Sequence, residues 1–299
     1  MSTELELKFL LPGTELVQLQ KILPQVGQIV HSAQHSLLNA YFDTGDNWFR
    51  RHDMGLRTRQ KQGQFEQTIK LAGQQHGAMQ MRPEYNVACA GVVPDLAAFP
   101  AEIWPPASDI ATLQLQLTEL FRTDFIRQSW LLRLADNTEI EVAYDQGEII
   151  AAGKRQPIAE LELELLSGQA EQLFTLAGNL VTELPLRTGW QSKAARGYAL
   201  RAQQSLKLPD TAGVTLLAQI RATQQAEACY EAGNNAALAV AGNALQALAR
   251  SVATIPQLGA WQTTSATLAH TVLLDGTAFA SLEYQQLLLA VSAYLYQNP

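Results

Sequence analysis

The chain has 299 residues, of which 47% are hydrophobic and 16% charged, and its formal net charge is −7. Such a composition suits a folded protein with a sizeable core and excludes a disordered chain. The acidic balance excludes a general nucleic-acid binder, which needs a surplus of Lys and Arg, but leaves room for an anion held by a local cation cluster or by ions seated on carboxylates.

The first residues, Met1-Ser2-Thr3-Glu4-Leu5-Glu6, place acids where a secretory signal needs a basic start and an apolar run. No apolar stretch approaches the roughly 20 residues that span a bilayer; the most apolar segment, 236–249, is broken by Gly242, Asn243 and Gln246. Cys89 and Cys229 lie far apart and form no CxxC pair, which fits a reducing compartment. The expectation is a soluble cytoplasmic protein with neither a membrane nor a nucleic acid as partner.

In chain order, residues 4–9 alternate strictly between charged and apolar and predict a strand. Residues 14–23 predict an amphipathic helix. Leu56-Arg57-Thr58-Arg59, Thr68-Ile69-Lys70-Leu71, Glu139-Ile140-Glu141-Val142 and residues 160–165 alternate again, and residues 169–184 predict a second helix. Many strands with few crossovers indicate an antiparallel α+β domain. Residues 207–213 contain Pro209 and Gly213 and read as a linker. From Gly213 onward the only charged side chains are Arg221, Glu227, Glu231, Arg250, Asp275 and Glu283. There Leu238, Ala241, Leu245, Leu248 and Val252 recur at helical spacing, predicting three or four helices with a break at Pro256 and Gly259. The predicted division is a domain over 1–206, a linker over 207–213 and a small all-α domain over 214–299.

On a strand, residues i and i+2 share a face. Glu4, Glu6 and Lys8 therefore lie together, as do Arg57 with Arg59, and Glu160 with Glu162 and Glu164. For any one strand, a solvated face is the plain reading. The set argues for more. Three Glu in a row repel one another, and a divalent ion such as Mg²⁺ or Mn²⁺, which prefers hard oxygen ligands, would relieve them. The Arg and Lys strands match a phosphate clamp. A closed barrel would bring both sets to one lumen, with its polar alternates inward and its apolar alternates outward under the helices.

These residues resemble a known family. Glu4-Leu5-Glu6-Leu7-Lys8 is similar to the N-terminal ExExK signature of the CYTH domain, or triphosphate tunnel metalloenzyme, superfamily. Further motifs follow in the family's order: Asn39-Ala40-Tyr41-Phe42-Asp43-Thr44, Gly55-Leu56-Arg57-Thr58-Arg59, Thr68-Ile69-Lys70, Arg82-Pro83-Glu84, Arg127 on an expected fifth strand, and Asp145-Gln146-Gly147-Glu148. Glu160-Leu161-Glu162-Leu163-Glu164 and Ser192-Lys193-Ala194-Ala195-Arg196-Gly197-Tyr198 complete them. The resemblance covers residues 1–205. The arrangement is similar to bacterial inorganic triphosphatases in which a helical CHAD-type domain follows the CYTH domain, although the C-terminal region here is short for one and has a single His, His270, and two Arg.

The resemblance implies an eight-stranded antiparallel barrel with flanking helices and metal-dependent hydrolysis of inorganic triphosphate or short polyphosphate. It implies that Arg57, Arg59, Lys70, Arg127 and Lys193 bind substrate phosphates, with Glu84 beside them. Lys8 joins them or assists the attacking water. It implies that Glu4, Glu6, Glu162 and Glu164 chiefly hold Mg²⁺ or Mn²⁺, that Asp145 and Glu84 hold metal, orient water or brace the cations, and that Lys8, Glu4, Glu6 and Asp145 form the catalytic group. Glu160 leaves open which pair of that strand's three acids faces the ion. Tyr41 reads as a wall residue, Arg122 and Arg133 as surface residues, and Glu139 or Glu141 as an inward acid or a salt-bridge partner. Alternatives are a thiamine triphosphatase, an adenylate cyclase of the same superfamily, or a polyphosphate-binding module without turnover. The five His lack metal-ligand spacing, with His31, His35, His52 and His76 reading as loop or surface, and neither a GxxxxGK[ST] loop nor a nucleophile elbow is present.

Overall fold

A computed structural model of the chain describes residues 2–210 and 213–298. Its elements are β1 (Ser2–Leu10), α1 (Leu16–Val26), β2 (Gln28–Asp43), α2 (Trp48–Arg51), β3 (Gly55–Lys61), β4 (Gln64–Lys70), β5 (Gln74–His76) and β6 (Met79–Cys89). Then come α3 (Ile110–Gln116), β7 (Thr118–Arg133), β8 (Glu139–Ala151), β9 (Lys154–Ser167), α4 (Glu171–Glu183), β10 (Arg187–Thr188) and α5 (Lys193–Ala202). The last helices are α6 (Leu216–Glu231), α7 (Ala237–Ala253), α8 (Gln262–Leu274) and α9 (Leu282–Gln297).

The alternating strands form one sheet that closes on itself. Neighbours run β1-β9-β8-β7-β2-β3-β4-β6, all antiparallel, and β6 pairs back onto β1 to complete an eight-stranded barrel. Strands β10 and β5 add short extensions beside β1 and β6. Arg127 sits on β7, which is the sixth barrel strand in chain order rather than the fifth.

The barrel is apolar outside and charged inside, because the period of two sends each strand's alternates to opposite faces. Leu7, Phe9, Ile140, Val142, Leu161 and Leu163 face outward into a core roofed by Leu19, Ile22 and Leu23 of α1 and Leu173, Leu176 and Leu180 of α4. Each such side chain contributes about 1.5–3 kcal/mol when fully buried. A second outer cluster packs Ala40, Phe42, Leu56 and Ile69 against Phe49, Leu96, Phe99, Ile103 and Leu113. The predicted helices at 14–23 and 169–184 correspond to α1 and α4.

One stretch of the lumen is apolar. Leu37, Tyr41, Phe121, Phe125, Ile149 and Ile158 cluster there, covered by Ala194, Tyr198 and Leu200 of α5. Helix α5 begins at a Ser192 cap, whose Oγ accepts from Ala195 N–H at 3.1 Å, and ends at Gln203 in the left-handed region (φ 52°). Gly197 lies so close to Phe121 that a Cβ would sit 2.2 Å from Cε2 of that ring.

The C-terminal region forms four helices, α6–α9, around a core of its own that includes Leu245, Leu248, Val252, Val272, Phe279 and Leu287. Helix α9 also serves the barrel: Leu289 belongs to the core under α1 and α4, and Tyr296 meets the rings of Phe174 and His76. His76 is thus buried, not a surface residue. Of the predicted linker, residues 207–210 and 213 lie outside helix and strand, and 211–212 fall outside the described residues. Among the described residues no helix is long and apolar enough to cross a membrane.

Candidate active site

The barrel closure places separate charged strand faces around a common space. Lumen parity on β1 presents Glu4, Glu6 and Lys8, with Glu6 opposite Glu164 and Lys8 opposite Glu162 on β9. On the other flank Glu4 stands opposite Arg82 of β6. Arg57 and Arg59 on β3 face Tyr41 and Asn39 of β2, and Lys70 of β4 faces Glu84 of β6. Arg127 of β7 faces Asp145 of β8.

A cavity of about 240 Å³ is lined by Glu4, Glu6, Lys8, Arg57, Arg59, Lys70, Glu84, Arg127, Glu162, Glu164 and Lys193. Of the residues assigned from the sequence to substrate, metal or catalysis, Asp145 is absent from that wall, as is Glu160, the remaining candidate of the three acids on its strand. Asp145 is fully buried behind the cations: Arg127 grips it with Nε–Oδ1 and Nη2–Oδ2 bonds of 2.7 Å, and Lys193 Nζ lies 2.8 Å from Oδ2. Glu160 is likewise fully buried, 2.7 Å from Lys193 Nζ and 2.5 Å from Arg196 Nη1. Of the three acids on β9, Glu162 and Glu164 reach the cavity.

The cations differ in how well they are neutralised. Lys70 pairs with Glu4 and lies 2.9 Å from Glu84 Oε2. Burial pushes the Glu84 carboxyl up, but Lys70 and Arg57 outweigh it and bring its pKa down to about 2. Arg127 and Lys193 also contact Glu162, at 2.5 and 2.7 Å. Burial and these two cations act in opposite senses on Glu162, and the cations win, so it stays well below the usual carboxylate range. Lys8, 2% exposed, donates to the Gln191 carbonyl at 2.5 Å.

Arg59 is the poorly satisfied cation, whereas for Arg57 burial is outweighed by Tyr41, Glu84 and Glu4, which hold its pKa up. Arg57 Nε is buried without a hydrogen-bond acceptor. Arg59 donates from Nε to Asn39 Oδ1 at 2.8 Å, and Asn39 donates in turn to Thr123 Oγ1 at 3.0 Å. Burial, then repulsion from Arg57 and Arg127, lowers Arg59 to about 9.

The carboxylates have a matching deficit. Burial raises Glu6 to about 8, aided by repulsion from Glu162 and Glu4. Burial raises Glu164 to about 7, aided by Glu4 and Glu141. Neither makes an ion pair among the described residues. Half-buried carboxyls whose pKa is raised by desolvation and by neighbouring acids suit a hard divalent cation. Among the described residues no group of three or more His, Cys, Asp or Glu forms a ready-made cage.

The sequence reading passed over Arg82, Gln80, Thr68 and Ser192, which also line the cavity. The signal for Arg82 was present, since it shares the parity of Glu84 two residues on. Glu141 lines the cavity, whereas Glu139 pairs outside with Arg133 at 2.8 Å. Arg122 and Arg133 are exposed, as expected, and Tyr41 is a wall residue. Past Gly55, Gln80, Arg82, Ser192 and Ala194 the cavity meets an open groove of about 950 Å³. Arg50, Arg201, Lys207 and Arg221 line it, with Asp53 the one acid among the described residues there.

Comparison with known proteins identifies the family. The inorganic triphosphatase of Haemophilus influenzae (strain ATCC 51907 / DSM 11121 / KW20 / Rd) is 35% identical over 211 residues, covering 69% of this chain and 57% of that protein. The chain thus spans less than two thirds of that relative. Among solved structures, the Hippeastrum protein HpAC1, named for adenylyl cyclase and for a dominant triphosphatase activity, aligns with a TM-score of 0.45 at 16% identity, covering 67% of this chain and 96% of that one. A protein of Pyrococcus horikoshii OT3 aligns with a TM-score of 0.33 at 14% identity, covering 58% and 83%. The family model for the CYTH domain matches residues 2–198, a span that takes in all eight barrel strands and most of α5. With its signature residues gathered on one lumen, the chain belongs to the CYTH domain family.

Proposed function

We propose that the chain hydrolyses inorganic triphosphate to pyrophosphate and phosphate inside the barrel, with Mg²⁺ or Mn²⁺ held by lumen carboxylates. One observation carries the reading. An under-satisfied cation, Arg59, and the unpaired Nε of Arg57 share a cavity with two carboxyls pushed up in pKa, Glu6 and Glu164. A linear polyanion together with divalent cations would satisfy both deficits at once, whereas either alone would worsen one of them.

Each group then has a task. Arg57 and Arg59 take phosphate oxygens on the β3 side, where the Arg fork matches two oxygens. Lys70, Arg127 and Lys193 supply further positive charge and are already oriented by Glu84, Asp145 and Glu160. Asp145 acts through Arg127 and Lys193 as a brace. Glu4, Glu6, Glu162 and Glu164 are the oxygens that would hold the ions. When bound, such ions offset phosphate charge and make water a better nucleophile. Lys8, fixed on the Gln191 carbonyl, stands among these acids to contact a phosphate oxygen or the attacking water. Transfer of a phosphoryl group to water needs positioning and charge stabilisation, so no side-chain nucleophile is required. The basic groove would steer a polyanion toward a chain whose overall charge repels it.

The test is phosphate release from a panel of triphosphate, pyrophosphate, ATP, thiamine triphosphate and long-chain polyphosphate, with Mg²⁺ or Mn²⁺ and with chelator. Release that is greatest from triphosphate and stops with chelator is expected. Tight binding of triphosphate without release would establish a binding module instead.

A further inference from the structure

We propose that the C-terminal helices act as a positioning clamp for the active site, with Arg187 and Gln285 as the positioning residues that hold Lys8 and Lys193 in place. What those lysines contact in turnover rests on the function proposed above; the clamp itself rests on geometry.

Strand β10 is two residues long and lies beside β1, with Thr188 opposite Phe9 and Arg187 opposite Leu10. So short a strand does not sustain itself. Its continuation nonetheless fixes both lysines. Gly189 N–H donates to the Lys8 carbonyl at 2.8 Å, and the Gln191 carbonyl accepts from Lys8 Nζ at 2.5 Å. Ser192 then caps α5, whose first residue, Lys193, reaches Asp145, Glu160 and Glu162.

The support comes from the other side. Thr188 N–H donates to Gln285 Oε1 at 2.9 Å, and Gln285 Nε2 donates to the Phe279 carbonyl at 2.7 Å. Arg187 reaches α6, with Nη2 2.8 Å from Glu227 Oε1 and Nη1 3.0 Å from Glu231 Oε2. Tyr284 OH donates to the remaining Glu227 oxygen at 2.9 Å. Glu227 and Gln285 are buried, so breaking either link leaves a sheltered polar group unpaired.

Helix α9 has a second grip. Ser292 Oγ accepts from Ala78 N–H at 2.8 Å, where the chain enters β6, which pairs with β1 along the same edge as β10. Gly77, at φ 63°, comes so close that a Cβ would lie 2.3 Å from Ser292 Oγ. One helix therefore holds two successive partners, β6 and β10, along the same edge of the strand bearing Glu4, Glu6 and Lys8, with β9 on the opposite edge.

The test uses the full chain with Gln285→Met, which removes the acceptor for Thr188 N–H and the donor to the Phe279 carbonyl at nearly constant length, and Arg187→Met, which removes the ion pairs but keeps the stem. Hydrogen exchange is followed across segment 187–193, together with thermal melting and kcat/KM for triphosphate. Both variants are expected to melt in one transition, to exchange about tenfold faster within 187–193 but not across β2, β3 and β7, and to lose about tenfold in kcat/KM. Should Arg187→Met fail to fold, Gln285→Met decides. Unchanged exchange in 187–193 overturns the clamp whatever the turnover, and so does acceleration spread evenly over the barrel. A wild-type protein that releases no phosphate would sink the proposed function, while the exchange result would still judge the clamp.

Discussion

Glu6 and Glu164 stand directly opposite each other on adjacent antiparallel strands, with no pairing cation for either among the described residues. Two acids so placed, under burial, hold protons in the folded chain that the unfolded chain would release. Their pKa values rise from 4.5 to about 8 and about 7. A raised carboxyl contributes stability that is complete below its unfolded value and is lost as pH climbs through its folded value. The metal-free protein is therefore expected to melt at progressively lower temperature between pH 4.5 and about 8. Glu6→Gln should flatten that slope. Glu84 has the opposite sign: held at about 2, it contributes stability that disappears as pH falls from 4.5 through that value. An unchanged slope in Glu6→Gln would show that this carboxyl is ionised in the folded chain.

The same two acids make metal binding a proton-releasing event. A divalent ion cannot share its coordinating oxygens with protons, so binding near pH 7 should displace part of the protons on Glu6 and Glu164. Titration calorimetry with Mn²⁺ in buffers of different ionisation enthalpy measures the number released. A fraction of a proton up to about one is expected for the wild type, and less for Glu6→Gln. Binding without release would place the ion elsewhere in the lumen.

Arg59 makes the complementary prediction. A half-buried guanidinium pushed down to about 9 by burial and by Arg57 and Arg127 is an unfavourable charge in the absence of an anion, and under the proposed function it would take a phosphate oxygen. Arg59→Met is expected to lower kcat by about 10²–10³, the usual cost of losing one donor to developing charge. The empty variant should melt at the same temperature as wild type or higher, because an uncompensated buried charge has gone. Triphosphate should raise the melting temperature of wild type more than that of the variant. A variant with wild-type turnover would remove Arg59 from the site.

Much of this arrangement was legible because a strand's period of two is written directly in residue types. Glu4-Leu5-Glu6-Leu7-Lys8 and Gly55-Leu56-Arg57-Thr58-Arg59 each announce a charged face and an apolar one, and closure brings those faces together. Depth along the barrel was not legible. Glu160, Glu162 and Glu164 share one parity, and only the arrival of α5, with Lys193 and Arg196, takes Glu160 out of the cavity. Helix α5 itself was read as a motif rather than a helix, although Ser192 ahead of Lys193-Ala194-Ala195 carries the capping signal. The covering of Leu56 and Ile69 by Leu96, Phe99, Ile103 and Leu113 was missed as well, since that segment uses single turns and a short helix without a sustained period.

Asp145 separates bracing from coordination. Both of its oxygens are engaged, by Arg127 at 2.7 Å and by Lys193 at 2.8 Å, and its side chain is fully buried. Asp145→Asn keeps the shape but removes the charge that those two cations face. Breaking one partner of a buried ion pair costs about 3–5 kcal/mol, because the charge left behind is uncompensated. Glu162 remains beside both cations and should hold the loss near the lower end. Urea unfolding at neutral pH is therefore expected to show a loss of about 3 kcal/mol, and saturating Mg²⁺ should not restore it. A metal ligand would behave otherwise. Its removal would leave the metal-free protein as stable as wild type or more so, as expected for Glu6→Gln, and would abolish only the stabilisation that Mg²⁺ confers. An Asp145→Asn protein of wild-type stability that no longer responds to Mg²⁺ would move this residue from the brace to the ion.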